Sequence, residues 1–165
     1  MLSGLLSADA LTFVDGTIKA HTEVFGDDGI DPFTTKITSD LTIGSNLTQL
    51  NGEITIPSIS LLSGNKGRDD HMHKAMHAKD EKFITIKLTK VQKVDNIYEI
   101  YSDLTLHGVT KQIVSICKIK EDSASLKLDG NFSIKMTDYN IEQPSMLFFT
   151  VRDQVDVQYN LNYRK

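Results

Sequence analysis

Toward its C-terminus the chain alternates without a break. Val155, Val157, Tyr159, Leu161 and Tyr163 fall on one side, with Asp156, Gln158, Asn160, Asn162 and Arg164 on the other. Successive side chains of an extended strand point to opposite faces, so this pattern describes a long strand with one dry face and one wet face. A slip of one residue would invert it, so the register is strongly specified. The same period recurs at Ile84, Ile86 and Leu88, with Thr85, Lys87 and Thr89 opposite. Further strand candidates cover 11–25, 34–43, 51–61, 97–106, 111–120 and 125–136. Turn-rich pieces such as Gly26-Asp27-Asp28-Gly29 and Glu121-Asp122-Ser123 separate them. Composition agrees: 16 Ile, 9 Val and 15 Thr against 6 Ala and 6 Glu is the bias of strands. About eight strands with short connections predict an all-β fold, either an up-and-down antiparallel barrel or a sandwich.

One segment departs from period two. Asp69-Asp70 begins a run in which Met72, Ala75, Met76 and Lys79 fall at i, i+3, i+4 and i+7, which predicts a short helix over 69–79, between the third and fourth strands.

The 165 residues are enough for one domain with a core of its own and too few for two comfortable ones. Eighteen Lys plus Arg against 22 Asp plus Glu leave a net charge of -4, which argues against nucleic acid as a partner. No apolar run approaches the ~20 residues of a membrane-spanning helix. Residues 1–10 have no basic start, yet Ala8-Asp9-Ala10 has the small-x-small form that precedes cleavage sites. They are read as the remnant of a signal segment or a disordered N-terminus, with the domain running over 11–165. The single cysteine, Cys117, sits in a strand-like alternation where a small buried residue is ordinary, and leaves the redox compartment open.

Polar motifs are sparse. His73 and His77 lie four apart on the predicted helix, with His71 nearby, a spacing that could aim two imidazoles at one metal ion. No Glu follows in the H-E-x-x-H manner, so exposed helix histidines are the preferred reading. Asp103, Thr105 and His107 share a face at a strand end, as an acid/base cluster or, preferably, as a strand entering a turn at Gly108. No G-x-S-x-G elbow, glycine-rich phosphate loop or paired carboxylates appear. Asn46-Leu47-Thr48 and Asn131-Phe132-Ser133 match the glycosylation sequon. The dry strand faces carry more information, because a barrel of about eight strands is just wide enough to be filled by side chains or to hold one ligand. The residues alone leave packed core and cavity equally open.

The stretch Asp103-Leu104-Thr105-Leu106-His107-Gly108-Val109-Thr110-Lys111 resembles the G-D-L-T-I/L-H-G-V-T-K signature of the YceI-like family of lipid- or polyisoprenoid-binding proteins. Arg68-Asp69-Asp70-His71-Met72, preceded by Ser63-Gly64-Asn65, resembles that family's R-D-x-H-L/M after T-G-N. Residues 134–141 are similar to its I-x-R-x-D-F/Y-G-I segment, and 151–157 to the V-x-D-x-V of its closing strand. The chain departs from the pattern at Met136 (usually Arg), Asn140 (usually Gly), Ile84 (near a frequent Pro) and His77-Ala78 (usually two aromatics).

The resemblance implies a lipocalin-like antiparallel barrel whose interior holds a long isoprenoid chain, of the polyprenyl phosphate or quinone type. The protein would then be a non-enzymatic carrier or store, with no cofactor other than the bound lipid and no catalytic residues. Export to the periplasm or secretion, with the cytoplasm left open, a part in stress responses, and homodimers would be in keeping with it. The expected lining, on the drier face of each strand, is Ile84, Ile86, Leu88, Ile100, Leu128, Phe132, Ile134, Val157, Tyr159 and Leu161. A charged head group would stay at the mouth, near Arg68, His71 or His107. The competing readings are a histidine-based metal-binding or enzymatic protein on the same barrel, and a packed barrel acting through its outer surface.

Overall fold

In the computed structural model, which describes residues 8–24, 29–146 and 149–165, the alternating runs are strands. They are β1 (Thr12–His21), β2 (Phe33–Thr34), β3 (Thr38–Ser39), β4 (Gly52–Pro57), β5 (Phe83–Val94), β6 (Ile97–Leu106), β7 (Val109–Glu121), β8 (Ser125–Lys135) and β9 (Gln154–Arg164). All nine belong to one antiparallel sheet in the order β2-β1-β9-β8-β7-β6-β5-β4-β3. That order is the chain order read around a ring, cut between β2 and β3. Since only residues 35–37 join the two edge strands, the sheet has to curl until its edges approach.

The cut is laced by other bonds. Asp9–Ala10 pairs antiparallel with Thr42–Ile43, Leu11 N–H donates to the Leu41 carbonyl (2.9 Å), and the Tyr163 and Ser39 hydroxyls are hydrogen-bonded (2.8 Å). Further along, Phe33 and Leu62 exchange backbone bonds of 3.0 and 3.1 Å. The curled antiparallel meander expected from the sequence is therefore the fold. Residues 9 and 10 are paired within it, while residues 1–7 of the segment read as a signal remnant lie outside the described residues, as do residue 25 of the first expected strand and 26–28 of the turn expected after it.

The β6–β7 hairpin turns on His107 and Gly108, both with positive φ (53° and 70°), which a two-residue turn matching strand twist requires. The His-Gly pair is thus explained by turn geometry. Where 34–43 was expected as one strand, the chain breaks into Phe33–Thr34, Thr38–Ser39 and Thr42–Ile43. Thr34 Oγ1 accepts from Lys36 N–H (3.0 Å) and Asp40 Oδ1 from Glu53 N–H (2.6 Å), so side chains compete with the ladder. The strand expected over 51–61 stops at Pro57 and passes into a 3-10 turn at Ser58–Ser60.

The helix, α1, spans Lys66–Ala75 rather than 69–79. Asn65 is its cap, Oδ1 accepting from Arg68 N–H (3.0 Å). Asp69 is buried and accepts from Ser63 N–H (2.9 Å) and Ser63 Oγ (2.6 Å), tying the helix to the chain before it. Asp70 instead pairs with Lys66 (2.6 Å). The helix ends early because His77 adopts a left-handed conformation (φ 50°) and Ala78 N–H bonds back to the His73 carbonyl (2.9 Å).

The inward faces form one core that includes Leu41, Leu128, Leu161 and Cys117. Cys117 is completely buried, as its place in the alternation implied. Among the described residues no helix is long and apolar enough to cross a membrane.

Candidate functional site

The core does not fill the barrel. Between α1 and the open end of the sheet lies a cavity of about 830 Å3, toward the upper end of the roughly 300–1,000 Å3 typical of small-molecule sites. Its walls are the dry faces of six strands: Ile18 and Ala20 of β1, Ile56 of β4, Ile84 and Ile86 of β5, Leu104 and Leu106 of β6, Phe132 and Ile134 of β8, Val155 and Val157 of β9. One side of α1 covers it, because Arg68, His71, Met72, Ala75 and Met76 stand at i, i+3, i+4, i+7 and i+8. The polar side chains that reach it are few: Asn65, Arg68 and His71 at the helix, Thr22 and Ser145 at the rim.

Two segments build that rim. Thr22 pairs with Ile30 and Val24 with Val151, placing four lining side chains in two bridges. Thr22 Oγ1 lies within hydrogen-bond distance of the carbonyls of Arg152 (3.1 Å) and Gln154 (3.0 Å), and Arg152 N–H donates to the Glu23 carbonyl (2.8 Å). A charged clasp lies over this junction. His21 places Nδ1 at 2.7 Å from Asp31 and Nε2 at 3.2 Å from Glu23, and Arg152 reaches Asp156 (2.9 Å) and Glu23 (3.9 Å). The hydrogen bond to Asp31, then that to Glu23, holds the His21 imidazole above its ordinary pKa, since only the doubly protonated ring can donate to both. Asp156 is held down to about 2, chiefly by the Ser133 hydroxyl and then by Gln154.

Of the ten expected lining residues, Ile84, Ile86, Phe132, Ile134 and Val157 are on the cavity wall. Leu88, Ile100, Leu128, Tyr159 and Leu161 lie deeper on the same inward face, around a separate void of about 30 Å3. Arg68 and His71 are brought to the cavity. His107 is not: it sits off the lining, its Nδ1–H donates to the Tyr139 carbonyl (2.8 Å), and its ring meets that of His77 edge-on at 4.6 Å.

The residues missed at the wall were partly legible. Ile18, Ala20, Thr22 and Val24 alternate, as do Leu104 and Leu106, and the helix stripe was read as a helix signal only. The rim residues Ile141, Pro144, Ser145, Phe149 and Val151 follow no single period and could not have been found that way.

The other candidate constellations come apart. His73 Nε2–H donates to the Leu61 carbonyl (2.8 Å), while His77 turns to His107, so the helix histidines do not converge. Among the described residues no three His, Cys, Asp or Glu are placed to hold a metal ion. Thr105 bonds Thr110 (2.7 Å) rather than His107.

The deep end of the barrel holds its own polar pair. The Tyr159 and Ser115 hydroxyls are 2.8 Å apart, and burial pushes the Tyr159 phenol upward. Burial likewise raises the Cys117 thiol, a direction that makes it unreactive.

Known proteins place this geometry. The YceI-like domain family matches residues 12–163. Among solved structures, BcnA of Burkholderia cenocepacia superposes with a TM-score of 0.79 at 18% identity, covering 89% of this chain and 95% of that one. A polyisoprenoid-binding domain from Saccharophagus degradans, implicated in plant cell wall breakdown, gives 0.69 at 13% identity, with 94% and 97% covered. The YceI protein of Campylobacter jejuni gives 0.63 at 19% identity, with 78% and 81% covered. Among curated proteins none matches the chain. With a family match over nearly its whole length and a barrel shared with these structures, the chain belongs to the YceI-like domain family.

Proposed function

We propose that the protein binds a long-chain isoprenoid lipid within the barrel and carries or stores it without chemical change. The observation that carries this reading is the cavity: about 830 Å3, walled by aliphatic and aromatic side chains from six strands and a helix, with its polar groups confined to the helix and the rim. Such a site takes an apolar chain out of water for about 0.8 kcal/mol per methylene, and its shape, not hydrogen bonding, selects the ligand. The S. degradans neighbour, described as polyisoprenoid-binding, supports the same class of ligand.

For the polar end we propose an anionic or quinone head group beside Arg68 and His71. The first turn of α1 adds the partial positive charge of a helix N-terminus there, which favours a polyprenyl phosphate over a cationic lipid. Residence in the periplasm or outside the cell, and a part in a stress response, belong to the same proposal and rest on the family resemblance.

Organic extraction of the purified protein, lipid mass spectrometry of the extract and native mass spectrometry of the intact protein test it together. The expected result is one isoprenoid or quinone per chain. A protein that comes out empty and stays empty when incubated with polyprenyl phosphate or ubiquinone overturns the reading.

A further inference from the structure

The large cavity and the small void behind it share four lining residues: Ile18 of β1, Ile86 of β5, Phe132 of β8 and Val157 of β9. Ile18, Val157 and Phe132 come from three neighbouring strands, β1, β9 and β8, and Ile86 from β5, three places further along the curled sheet, so together they form a partition within the barrel, with about 830 Å3 on one side and about 30 Å3 on the other. Phe132 is the aromatic member of the four, and it stands directly opposite Val157 in the ladder.

What lies behind Phe132 keeps it in place. Its ring lies 6.5 Å from the Tyr159 ring, centroid to centroid, at 45°. Tyr159 is in turn anchored to Ser115 (2.8 Å) and seated over Gly130, where a Cβ would collide with its hydroxyl. The anchored Tyr159 ring therefore backs the Phe132 ring on the side away from the large cavity. The void beyond it is lined mostly by apolar side chains but holds only about 30 Å3, so while the ring stands it gives a hydrocarbon tail no room.

We propose that Phe132 is the stop that limits ligand length: the tail of a bound chain ends against its ring, and the void behind is the space a longer chain would need. This rests on the chain-binding reading above and assigns a specificity role to one residue of the wall. It follows that removing the ring joins the two spaces and lengthens the site, while refilling the void restores the limit.

The test uses all-trans prenols of increasing length, from geranylgeraniol to solanesol, added to delipidated full-length protein, with affinities read by competition against a fluorescent fatty acid. For the wild-type protein, affinity should rise with length and then level off or fall. Phe132→Ala should move that limit to a longer prenol and improve binding of the first over-long one about tenfold, as expected when a few more methylenes are buried. Phe132→Leu, the milder change, should move it in the same direction by less. Adding Ser102→Leu to Phe132→Ala should return the limit toward the wild-type one; Ser102 takes no part in the Tyr159–Ser115 bond, so this refills the void without disturbing that anchor.

A cooperative melting curve and a far-ultraviolet circular dichroism spectrum like those of the wild-type protein report that the barrel of each variant stands. A wild-type limit that stays in place in both Phe132 variants overturns the partition while leaving chain binding intact. A wild-type protein that takes no prenol of any length overturns the chain-binding reading, and the stop with it.

Discussion

Gly130 shows what a single side-chain position can require. It lies in β8 opposite Tyr159 of β9, and a Cβ built there would strike the Tyr159 hydroxyl and ring and approach the Ile116 carbonyl at 2.9 Å. Tyr159 cannot yield cheaply, since its half-buried side chain packs against the core beside Cys117 and its hydroxyl is held by Ser115. Gly130→Ala is therefore an overpacking change, expected to cost ~1–3 kcal/mol. A lower urea midpoint at unchanged slope checks it, and a midpoint equal to the wild-type one would show that Tyr159 moves freely. At this scale the sequence was legible in part. The alternation placed Tyr159 and Cys117 inward, because period two depends on the strand alone. It was silent about Gly130, because a glycine in a dry row shows only that a side chain is missing, and what occupies its place comes from the neighbouring strand.

At the scale of elements, the long strands were readable and their terminations were not. β9 and β8 follow their alternation closely and β5 does so as far as Leu88, where a bulge moves its buried row to Val91, whereas β1 stops at His21 and the chain beyond it goes on to build the cavity rim. Hydrophobic period carries no information about where a strand leaves the sheet. The helix boundary shifted for a related reason: Asn65 caps it through its own side chain, while Asp69, which looked like an N-terminal acid, is used to bind Ser63.

The rim clasp yields a pH dependence. His21 has a raised pKa in the folded protein, so the stability it contributes is fully present below its ordinary value of 6.5 and is lost as the pH rises through the raised one. Asp156 runs the other way. Its contribution is complete above its ordinary 3.8 and is lost only as the pH falls through about 2. Of these two, His21 alone changes charge near neutrality. About a third of the His21 side chain is exposed, so the effect should stay below ~1 kcal/mol. The melting temperature of the wild-type protein is expected to fall slightly relative to His21→Asn as the pH is raised from about 6 to 8, across the ordinary histidine range. Parallel profiles for the two proteins would show that the clasp contributes nothing to stability.

At the scale of the whole molecule, what matters is that sheet order is chain order wrapped into a ring. Strand number and an antiparallel meander could be foreseen from short connections between alternating runs, which left barrel and sandwich as equal alternatives. Closure and hollowness could not, since both depend on how far apart opposite walls stand, which no single strand records. The ring is cut between β2 and β3, and the Asp9–Ala10 pairing with Thr42–Ile43, together with buried Leu11, laces that cut. None of these residues lines the large cavity or the void.

Stability and binding should therefore separate. A chain beginning at Thr12 loses the pairing, the Leu11–Leu41 bond and the Leu11 side chain, whose burial alone is worth about 1.5–3 kcal/mol. For a domain of this size a loss near 2 kcal/mol lowers the melting temperature by roughly 4–8 °C. Well below that melting point, the shortened chain should bind prenols with the length profile of the full chain, because its cavity walls are untouched. An unshifted melting curve would show that the Phe33–Leu62 bonds hold the cut without help. Altered binding in a still-folded chain would show instead that the hollow end takes its shape from closure at the laced edge.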